Sequence, residues 1–410
     1  MRVILHSDLN NFYASCECLL RPELKSLPVV VCGKIKDRHG VVLAKNMLAK
    51  NAGIKTGMTL YEARKLMPNL EAVEANHDLY LKYSRLVKKI YSDYTDRIES
   101  FGIDEAWLDV TESAKLFGSG ENIAEIIRKR VREEIGLTVS IGVSFNKIFA
   151  KLGSDIKKPD AVTVITKENY KDIVWKLPVS DLLYVGRATT KKLNALGIFN
   201  IGSLARFDKS ILKQKLGKWG EYLWDYANGL DTSMVLKIGE NDDVKSVGNS
   251  VTYYRDMESI EDIMALIYML AESVAFRIKR AGVGSAKTLH LTIVDNNLMH
   301  YGMQVAFNVP TMLSKDIATL AIEVYKKHYT NIKSVRGIGV SVSNFVKEEQ
   351  LLIGDSQVKK EKSLMLDKTI EDIRHRFGRR SVCRALTTLD ERLQDVQING
   401  SNITSRNLDS

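Results

Sequence analysis

Residues 101–109 read Phe-Gly-Ile-Asp-Glu-Ala-Trp-Leu-Asp, and their pattern is the clearest guide to the architecture of the chain. The adjacent carboxylates, Asp104 and Glu105, stand between two apolar, β-prone runs, a pattern typical of a hairpin tip. A third carboxylate, Asp8, ends the apolar run of residues 3–5. If the three converge, their mutual repulsion requires protonation or a bound cation. Clustered carboxylate oxygens suit a hard divalent ion, and Mg²⁺ is the usual one.

The order of the predicted elements brings these two places together. Hydrophobic periodicity predicts the order strand, helix, strand, strand, helix, strand, at residues 3–7, 79–94, 98–103, 106–110, 122–134 and 138–144. With an insertion of about 65 residues after the first strand, this is the split βαβ, or ferredoxin-like, arrangement. Its third strand lies between the first two and antiparallel to both, so we expect Asp8 on the same sheet edge as the hairpin tip. A plain polar turn is the alternative for Asp104 and Glu105. The strand order favours a shared acidic site, which would suit two-metal phosphoryl transfer.

The remaining segments predict several further domains, as the length of 410 residues allows. The insertion has predicted helices at residues 11–20 and 59–66 and strands at 28–32 and 41–43. Short helices follow residue 167, and a polar linker spans residues 237–245. An α+β region then has predicted strands at 246–253, 288–294, 303–307 and 335–342 and helices at 260–281 and 317–329. The polar tail has one predicted helix, residues 365–377, and an Asn- and Ser-rich end that we expect to be disordered.

Composition narrows the possible settings of the chain. There are 60 basic and 50 acidic residues, and the net charge of +10 is compatible with nucleic acid, a membrane surface or acidic partners. We find no apolar run near 18 residues and no signal peptide, so we expect no membrane span and a cytoplasmic location. The four cysteines lack zinc-site spacing and are interpreted as reduced thiols.

Three smaller features have two interpretations each. Residues 184–198 resemble a degenerate helix-hairpin-helix, in which only Gly186 and Gly197 remain of the glycines that would present N–H groups to phosphate. A simple helix-turn-helix explains them equally well. The lysines of residues 147–158 could neutralise phosphate as point charges, and a solvated basic helix is the alternative. His6 is interpreted as a packed core histidine rather than a ligand.

A series of ordered motifs, covering about the first 350 residues, resembles the Y-family translesion DNA polymerases. The motifs are His-Ser-Asp-Leu-Asn-Asn-Phe-Tyr-Ala-Ser-Cys-Glu (6–17), Pro-Val-Val-Val (28–31), Gly-Ile-Lys-Thr-Gly-Met (53–58), Gly-Ile-Asp-Glu-Ala-Trp-Leu-Asp (102–109), Ile-Gly-Val-Ser-Phe-Asn-Lys (141–147), Phe-Ala-Lys (149–151) and Lys-Pro (158–159).

The resemblance implies an α+β, multidomain, right-hand polymerase with a ferredoxin-like palm. The expected domains are a palm (1–10 and 78–165), small fingers (11–77), a helical thumb (166–236), an α+β little finger that binds DNA (243–348) and a partly disordered tail (349–410).

The resemblance also implies roles for individual residues. Asp8, Asp104 and Glu105 would be catalytic and would hold two Mg²⁺ with the backbone carbonyl of Leu9. Tyr13 would be the steric gate against a ribose 2′-OH. The implied nucleotide contacts are Phe12, Tyr13, Lys158, Lys45 and Lys50, and the implied DNA contacts in the thumb hairpin are Gly186 and Lys191.

One stretch departs from the family pattern. Residues 44–50, Ala-Lys-Asn-Met-Leu-Ala-Lys, have Met47 and Lys50 where Tyr and Arg are usual, so we expect a weaker bidentate grip on phosphate.

The implied activity is low-fidelity, template-directed DNA synthesis past lesions, from dNTPs on primer-template DNA and without proofreading, by a monomer. Residues 350–354 are a poor copy of a sliding-clamp peptide, and a plain linker explains them as well. Alternatives are a nucleotide cyclase, a UmuC-type polymerase that needs accessory subunits, and a non-catalytic damage-tolerance protein. The basic thumb and the DNA-binding domain disfavour the cyclase, and the intact acidic trio disfavours the non-catalytic protein.

Overall fold

The computed structural model describes residues 2–33, 40–240, 244–332, 334–347, 355–378 and 381–388, without the side chains of 355–360. The clamp-like residues 350–354 and the Asn- and Ser-rich end therefore lie outside the described residues. The chain forms two compact units, one up to residue 241 and one spanning residues 242–402.

The first unit contains eight strands and twelve α-helices in its described part. They are β1 (Ile4–Leu9), α1 (Phe12–Leu20), β2 (Val29–Cys32), β3 (Val42–Lys45), α2 (Met47–Asn51), α3 (Leu60–Leu66), β4 (Glu71–Glu74), α4 (His77–Ser92), β5 (Ile98–Ser100), β6 (Glu105–Asp109), α5 (Ala114–Phe117), α6 (Gly120–Arg130), β7 (Val139–Ser144), α7 (Lys147–Ile156), β8 (Val162–Val164), α8 (Tyr170–Ile173), α9 (Arg187–Ala195), α10 (Ile201–Arg206), α11 (Lys209–Leu216) and α12 (Lys218–Ala227).

The central sheet has the order β5-β6-β1-β7-β8. Strand β1 is antiparallel to both β6 and β7, and β5 is antiparallel to β6. The predicted split βαβ order is therefore confirmed. The parallel edge strand β8 was not predicted, because three residues are too few for a periodic pattern.

The two faces of β1 have different neighbours. Leu5 and Leu9 pack into an apolar core with residues of α4 and α6. On the other face α7 lies very close to the sheet, because it crosses at two glycines. A Cβ at Gly142 would lie 1.9 Å from the Ala150 carbonyl oxygen, and one at Gly153 would lie 2.9 Å from the Gly142 Cα. The helix that carries the basic residues is thus held directly over β1 and β7.

The insertion after β1 forms a smaller sheet of order β3-β2-β4. Its predicted strands and helices are confirmed with shifted ends, whereas the four-residue β4 was not predicted. Helix α3 begins with a capping box, in which Thr59 Oγ1 accepts from the Glu62 amide and the Glu62 carboxylate accepts from the Thr59 amide. Helix α2 is capped by the Asn46 side chain, whose Oδ1 accepts a hydrogen bond from the Ala49 amide.

Helices α8 to α12 follow and share one apolar core, which confirms the predicted run of short helices.

The second unit is a four-stranded antiparallel sheet with two helices on one face. Its elements are β9 (Ser246–Met257), α13 (Ile260–Ala281), β10 (Ser285–Asp295), β11 (His300–Thr311), α14 (Ser314–His328), β12 (Val335–Val346) and α15 (Asp355–Phe377). The strand order is β11-β10-β12-β9. Helices α13 and α14 and the inner sheet residues form a core that contains no residue of the first unit. All predicted elements are confirmed, although the strands are longer and α15 begins ten residues earlier than predicted.

Within the described residues, no helix combines the length and apolar character needed to cross a membrane.

Candidate active site

The pairing of β1 with β6 brings the predicted acidic residues together. Asp8 lies opposite Glu105 in the ladder. The Leu9 amide donates a 3.0 Å hydrogen bond to the Asp104 carbonyl oxygen, which ties the turn before β6 to the end of β1. Residues 96 positions apart therefore meet at one sheet edge, as the strand order predicted.

Asp8 is buried, Asp104 and Glu105 are half-buried, and the three carboxylates are electrostatically coupled. Burial raises the pKa of Asp104 to about 7, and the charges of Glu105 and Asp8 add to that shift. Burial and the Glu105 charge likewise raise the pKa of Asp8, against the opposing effect of Lys158 and Lys151. Three carboxyl groups in this setting favour a bound cation, which would relieve their repulsion.

Two lysines supply positive charge at this point. Lys151 Nζ lies 3.3 Å from Asp8 Oδ2 and 2.8 Å from Glu105 Oε2, and Lys158 Nζ lies 2.7 Å from Asp8 Oδ2. Asp155 contacts both ammonium groups, at 3.2 and 2.8 Å. The close packing of α7 against the sheet brings the Lys151 side chain near β1.

The loop that carries Lys158 is tethered to β1 by Asn10. Its side-chain amide donates to Ser140 Oγ at 3.0 Å and accepts from the Asp160 amide at 2.9 Å. The sequence motif that contains Asp8 thereby also positions one of the cations beside it.

The carboxyl groups of this site are the candidate ligands for a metal ion. Across the described part of the chain, no three His, Cys, Asp or Glu side chains are arranged to hold a metal ion together. The donor set nevertheless fits a divalent cation, because the carboxyl groups of Asp8, Asp104 and Glu105 are electrostatically coupled at one sheet edge and already have cations as neighbours. The ammonium of Lys151 bridges Asp8 and Glu105 as a cation would.

The N-terminus of α1 lies next to these acids. Phe12 is buried and Tyr13 is half-buried. Burial raises the pKa of the Tyr13 hydroxyl, and the Asp104 charge adds to that shift. The Tyr13 ring stacks on Tyr80 at 4.1 Å between centroids and meets the His77 ring edge-on at 5.8 Å. First-turn amides of a helix have no intrahelical acceptor, and no acidic residue occupies the first turn of α1. An anion could therefore bind there.

The remaining predicted residues lie on other elements. Lys45 is in β3, where its ammonium donates to Thr56 Oγ1 at 3.2 Å, and Lys50 is in the last turn of α2. Burial and the nearby Lys50 charge lower the pKa of Lys45. Gly186 is the N-cap of α9, and Lys191 is exposed on that helix.

Sequence reasoning missed the role of Lys151 as the cation shared by Asp8 and Glu105. The available signal was the pair of glycines, Gly142 in the last predicted strand and Gly153 among the lysines that follow it, because small residues permit the close approach that the structure shows. His6 is fully buried, as predicted, but it also reaches Glu105, with 3.2 Å between Nε2 and Oε2.

Comparison with known proteins agrees with this architecture. Residues 7–155 match the impB/mucB/samB family, and residues 244–354 match the C-terminal domain of that family. The chain is 48% identical to a DNA polymerase IV of Acetivibrio thermocellus over 398 residues, which is 96% of this chain and 100% of that protein. It is 36% identical to a DNA polymerase IV of Pelotomaculum thermopropionicum, over 94% of this chain and 95% of that protein.

A solved structure shows the same fold. A Y-family DNA polymerase chimera of Dbh and Dpo4 superposes with a TM-score of 0.74 and 25% identity, covering 84% of this chain and 100% of that one. The chain therefore belongs to the impB/mucB/samB family, within the Y-family DNA polymerases.

Proposed function

We propose that this enzyme is a DNA-directed DNA polymerase that extends a primer past template lesions, with its acidic trio as the reaction centre. The observation that carries the proposal is the convergence of Asp8, Asp104 and Glu105 at one sheet edge, beside a helix N-terminus and two lysines. Phosphoryl transfer depends mainly on positioning and charge neutralisation, and this arrangement offers both.

The proposed cofactor is Mg²⁺, two ions per site. Asp8, Asp104, Glu105 and the Leu9 carbonyl would hold them. When bound, the ions would supply charge neutralisation for the reacting phosphate and orientation of the 3′-OH. The chain's own lysines would then be free to share their positive charge with the triphosphate, Lys158 foremost because it is the more exposed of the two.

The proposed nucleotide site lies at the start of α1. The amides of Phe12 and Tyr13 would bind triphosphate oxygens, since a helix N-terminus favours anions. The Tyr13 ring would exclude a ribose 2′-OH, and its stacking on Tyr80 would hold it in place. Lys45 and Lys50 would add charge from the fingers. Met47 takes the place of a usual Tyr, so this grip would lack that hydroxyl.

The proposed domain assignment follows the resemblance. Residues 1–10 and 78–165 would be the palm, 11–77 the fingers, 166–236 the thumb and 243–348 the little finger. Gly186 and Lys191 would bind DNA phosphate at the α9 N-terminus. In the second unit, α13 and α14 cover one sheet face, and the other face would be available to DNA. We further propose a cytoplasmic monomer, with residues 350–354 as a sliding-clamp contact.

Primer extension on a gapped template tests this proposal. Wild-type protein with Mg²⁺ and dNTPs should extend the primer, and Asp104→Ala should abolish extension. Glu112→Ala, which removes an exposed carboxylate that pairs with Lys115 three residues further on, is the matched control and should retain full activity. An inactive wild type or a fully active Asp104→Ala would refute the proposal.

A further inference from the structure

The imidazole of His6 sits behind the Glu105 carboxylate. It lies on β1 two residues before Asp8 and is fully buried. Its ring meets Trp107, its ladder partner, edge-on at 5.1 Å between centroids. Its Nδ1 lies 2.9 Å from Ser154 Oγ in α7, and its Nε2 lies 3.2 Å from Glu105 Oε2.

We infer that His6 is a positioning residue for Glu105, which fixes where that carboxylate sits relative to Asp8 and Asp104. The inference rests on the proposed function, in which Glu105 holds the metal and serves catalysis. Carboxylates and imidazoles that contact metal ligands from behind typically set ligand orientation and affinity.

Packing alone does not explain a histidine here. Burying a polar ring costs free energy unless both nitrogens are compensated, and an aromatic hydrocarbon would fill the same space beside Trp107 without that cost. The ring instead contacts Ser154 of α7 on one side and Glu105 of β6 on the other. Because α7 is fixed by the Gly142–Gly153 crossing, Ser154 and hence the imidazole have a defined position.

The protons can be assigned in one way that serves Glu105. A neutral imidazole has one N–H, and Glu105 can only accept as a carboxylate, so the proton belongs on Nε2 and Nδ1 accepts from Ser154 Oγ–H. The Ser154 hydroxyl donates to the Lys151 carbonyl at 2.7 Å, so in this tautomer Nδ1 and that carbonyl compete for the same proton. Nε2 and Oε2 are close but not collinear enough for an aligned hydrogen bond. The contact therefore acts through close packing, since the edge of the imidazole occupies the space beside Oε2.

Substitutions at His6 separate this role from a structural one. A Gln amide reaches the place of Nε2, toward Glu105, whereas an Asn amide reaches only the place of Nδ1, toward Ser154. His6→Phe keeps the ring and loses both polar ends. Tyr91→Phe is the matched control, because it removes a buried 2.7 Å hydrogen bond to Ser7 on the same strand but on the opposite face.

The readouts are Mn²⁺ affinity by electron paramagnetic resonance, with gapped DNA and a non-hydrolysable dNTP analogue bound, and the single-turnover extension rate. We expect His6→Phe and His6→Asn to lose about tenfold in both, and His6→Gln to recover most of each. Tyr91→Phe should lower the unfolding temperature with both readouts unchanged. Recovery by Asn rather than Gln, equal losses in all three His6 variants, or no loss in any would overturn the inference.

Two further variants keep the outcome interpretable. If the His6 variants do not fold, Ser154→Ala carries the test: a positioning role predicts weaker Mn²⁺ affinity, and a purely structural one predicts lower stability alone. Glu105→Gln separates this inference from the proposed function. Full extension by Glu105→Gln would refute the proposed function itself, whereas an inactive Glu105→Gln beside unaffected His6 variants would refute only the role of His6.

Discussion

At the residue scale, the Tyr13 ring is held by its neighbours rather than by its own rotamer alone. Stacking on Tyr80 and edge contact with His77 fix it beside Asp104. We predict that Tyr13→Ala raises ribonucleotide incorporation by about tenfold or more, because it removes the ring that would exclude the 2′-OH in the proposed nucleotide site. Steady-state insertion of rNTPs against dNTPs measures this.

The control for that prediction is Tyr61→Ala, which truncates an exposed tyrosine of α3. It should leave the ratio of rNTP to dNTP insertion unchanged. If Tyr13→Ala excludes ribonucleotides as well as the wild type does, Tyr13 is not the steric gate.

Lys151 gives a second prediction, about stability. Its ammonium contacts Asp8, Glu105 and Asp155, and its side chain is 12% exposed. Lys151→Met leaves these carboxylates without that partner and should lower the free energy of unfolding by about 3 kcal/mol in EDTA. Denaturant unfolding measures the loss, and added Mg²⁺ should restore part of it.

Lys158→Met is the comparison, since its side chain is 29% exposed and solvent screens it more. Its loss should be smaller. Equal losses from the two variants, or a loss that Mg²⁺ leaves untouched, would contradict this account of Lys151.

At the element scale, the crossing of α7 over the central sheet sets the distance between Lys151 and the carboxylates. Gly142→Ala would place a methyl group 1.9 Å from the Ala150 carbonyl oxygen, so the helix must move. We predict a stability loss of about 1–3 kcal/mol and a large loss of extension activity. Thermal unfolding and primer extension measure the two effects.

Gly33→Ala is the matched control, because no atom of the described residues lies within 4 Å of its added methyl group. It should change neither stability nor activity appreciably. Normal extension by Gly142→Ala would show that α7 can shift without disturbing the site.

The sequence could predict the strands of the site better than the contacts made across them. Strand order alone places Asp8 on the same sheet edge as Asp104 and Glu105, because a split βαβ sheet admits one position for its third strand, whereas the register that sets Asp8 opposite Glu105 is seen only in the structure. The place of Lys151 depends on how closely α7 approaches, which follows from two glycines that look unremarkable one at a time. The short strands β4 and β8 have no readable period, and only tertiary pairing reveals them.

At the scale of the whole molecule, the second unit has its own core and its own ion pairs. Lys279 pairs with Glu371 at 2.9 Å, and Glu272 pairs with Arg374 and Arg384 at 2.9 and 2.6 Å, so α15 is tied to α13 within the unit. We predict that residues 242–402, expressed alone, fold with one cooperative thermal transition. Circular dichroism with temperature measures this.

The matched fragment is residues 242–354, which lacks α15 and the residues after it. It should still fold but melt at a lower temperature, and high salt should narrow the difference because ion pairs are screened. Absence of a cooperative transition in the 242–402 fragment would contradict the independence of this unit. Equal melting temperatures of the two fragments would contradict the contribution of α15.

The alternation along β1 has a consequence for insertions and deletions. Its even-numbered residues, His6 and Asp8, face α7, and its odd-numbered residues, Leu5 and Ser7, face α4 and α6. Removing or adding one residue within the strand would exchange the two sets, burying a carboxylate in hydrocarbon and turning leucine toward the lysines. Single-residue length changes in this strand should therefore be excluded during evolution far more strictly than substitutions, whereas changes of chain length in exposed loops are tolerated.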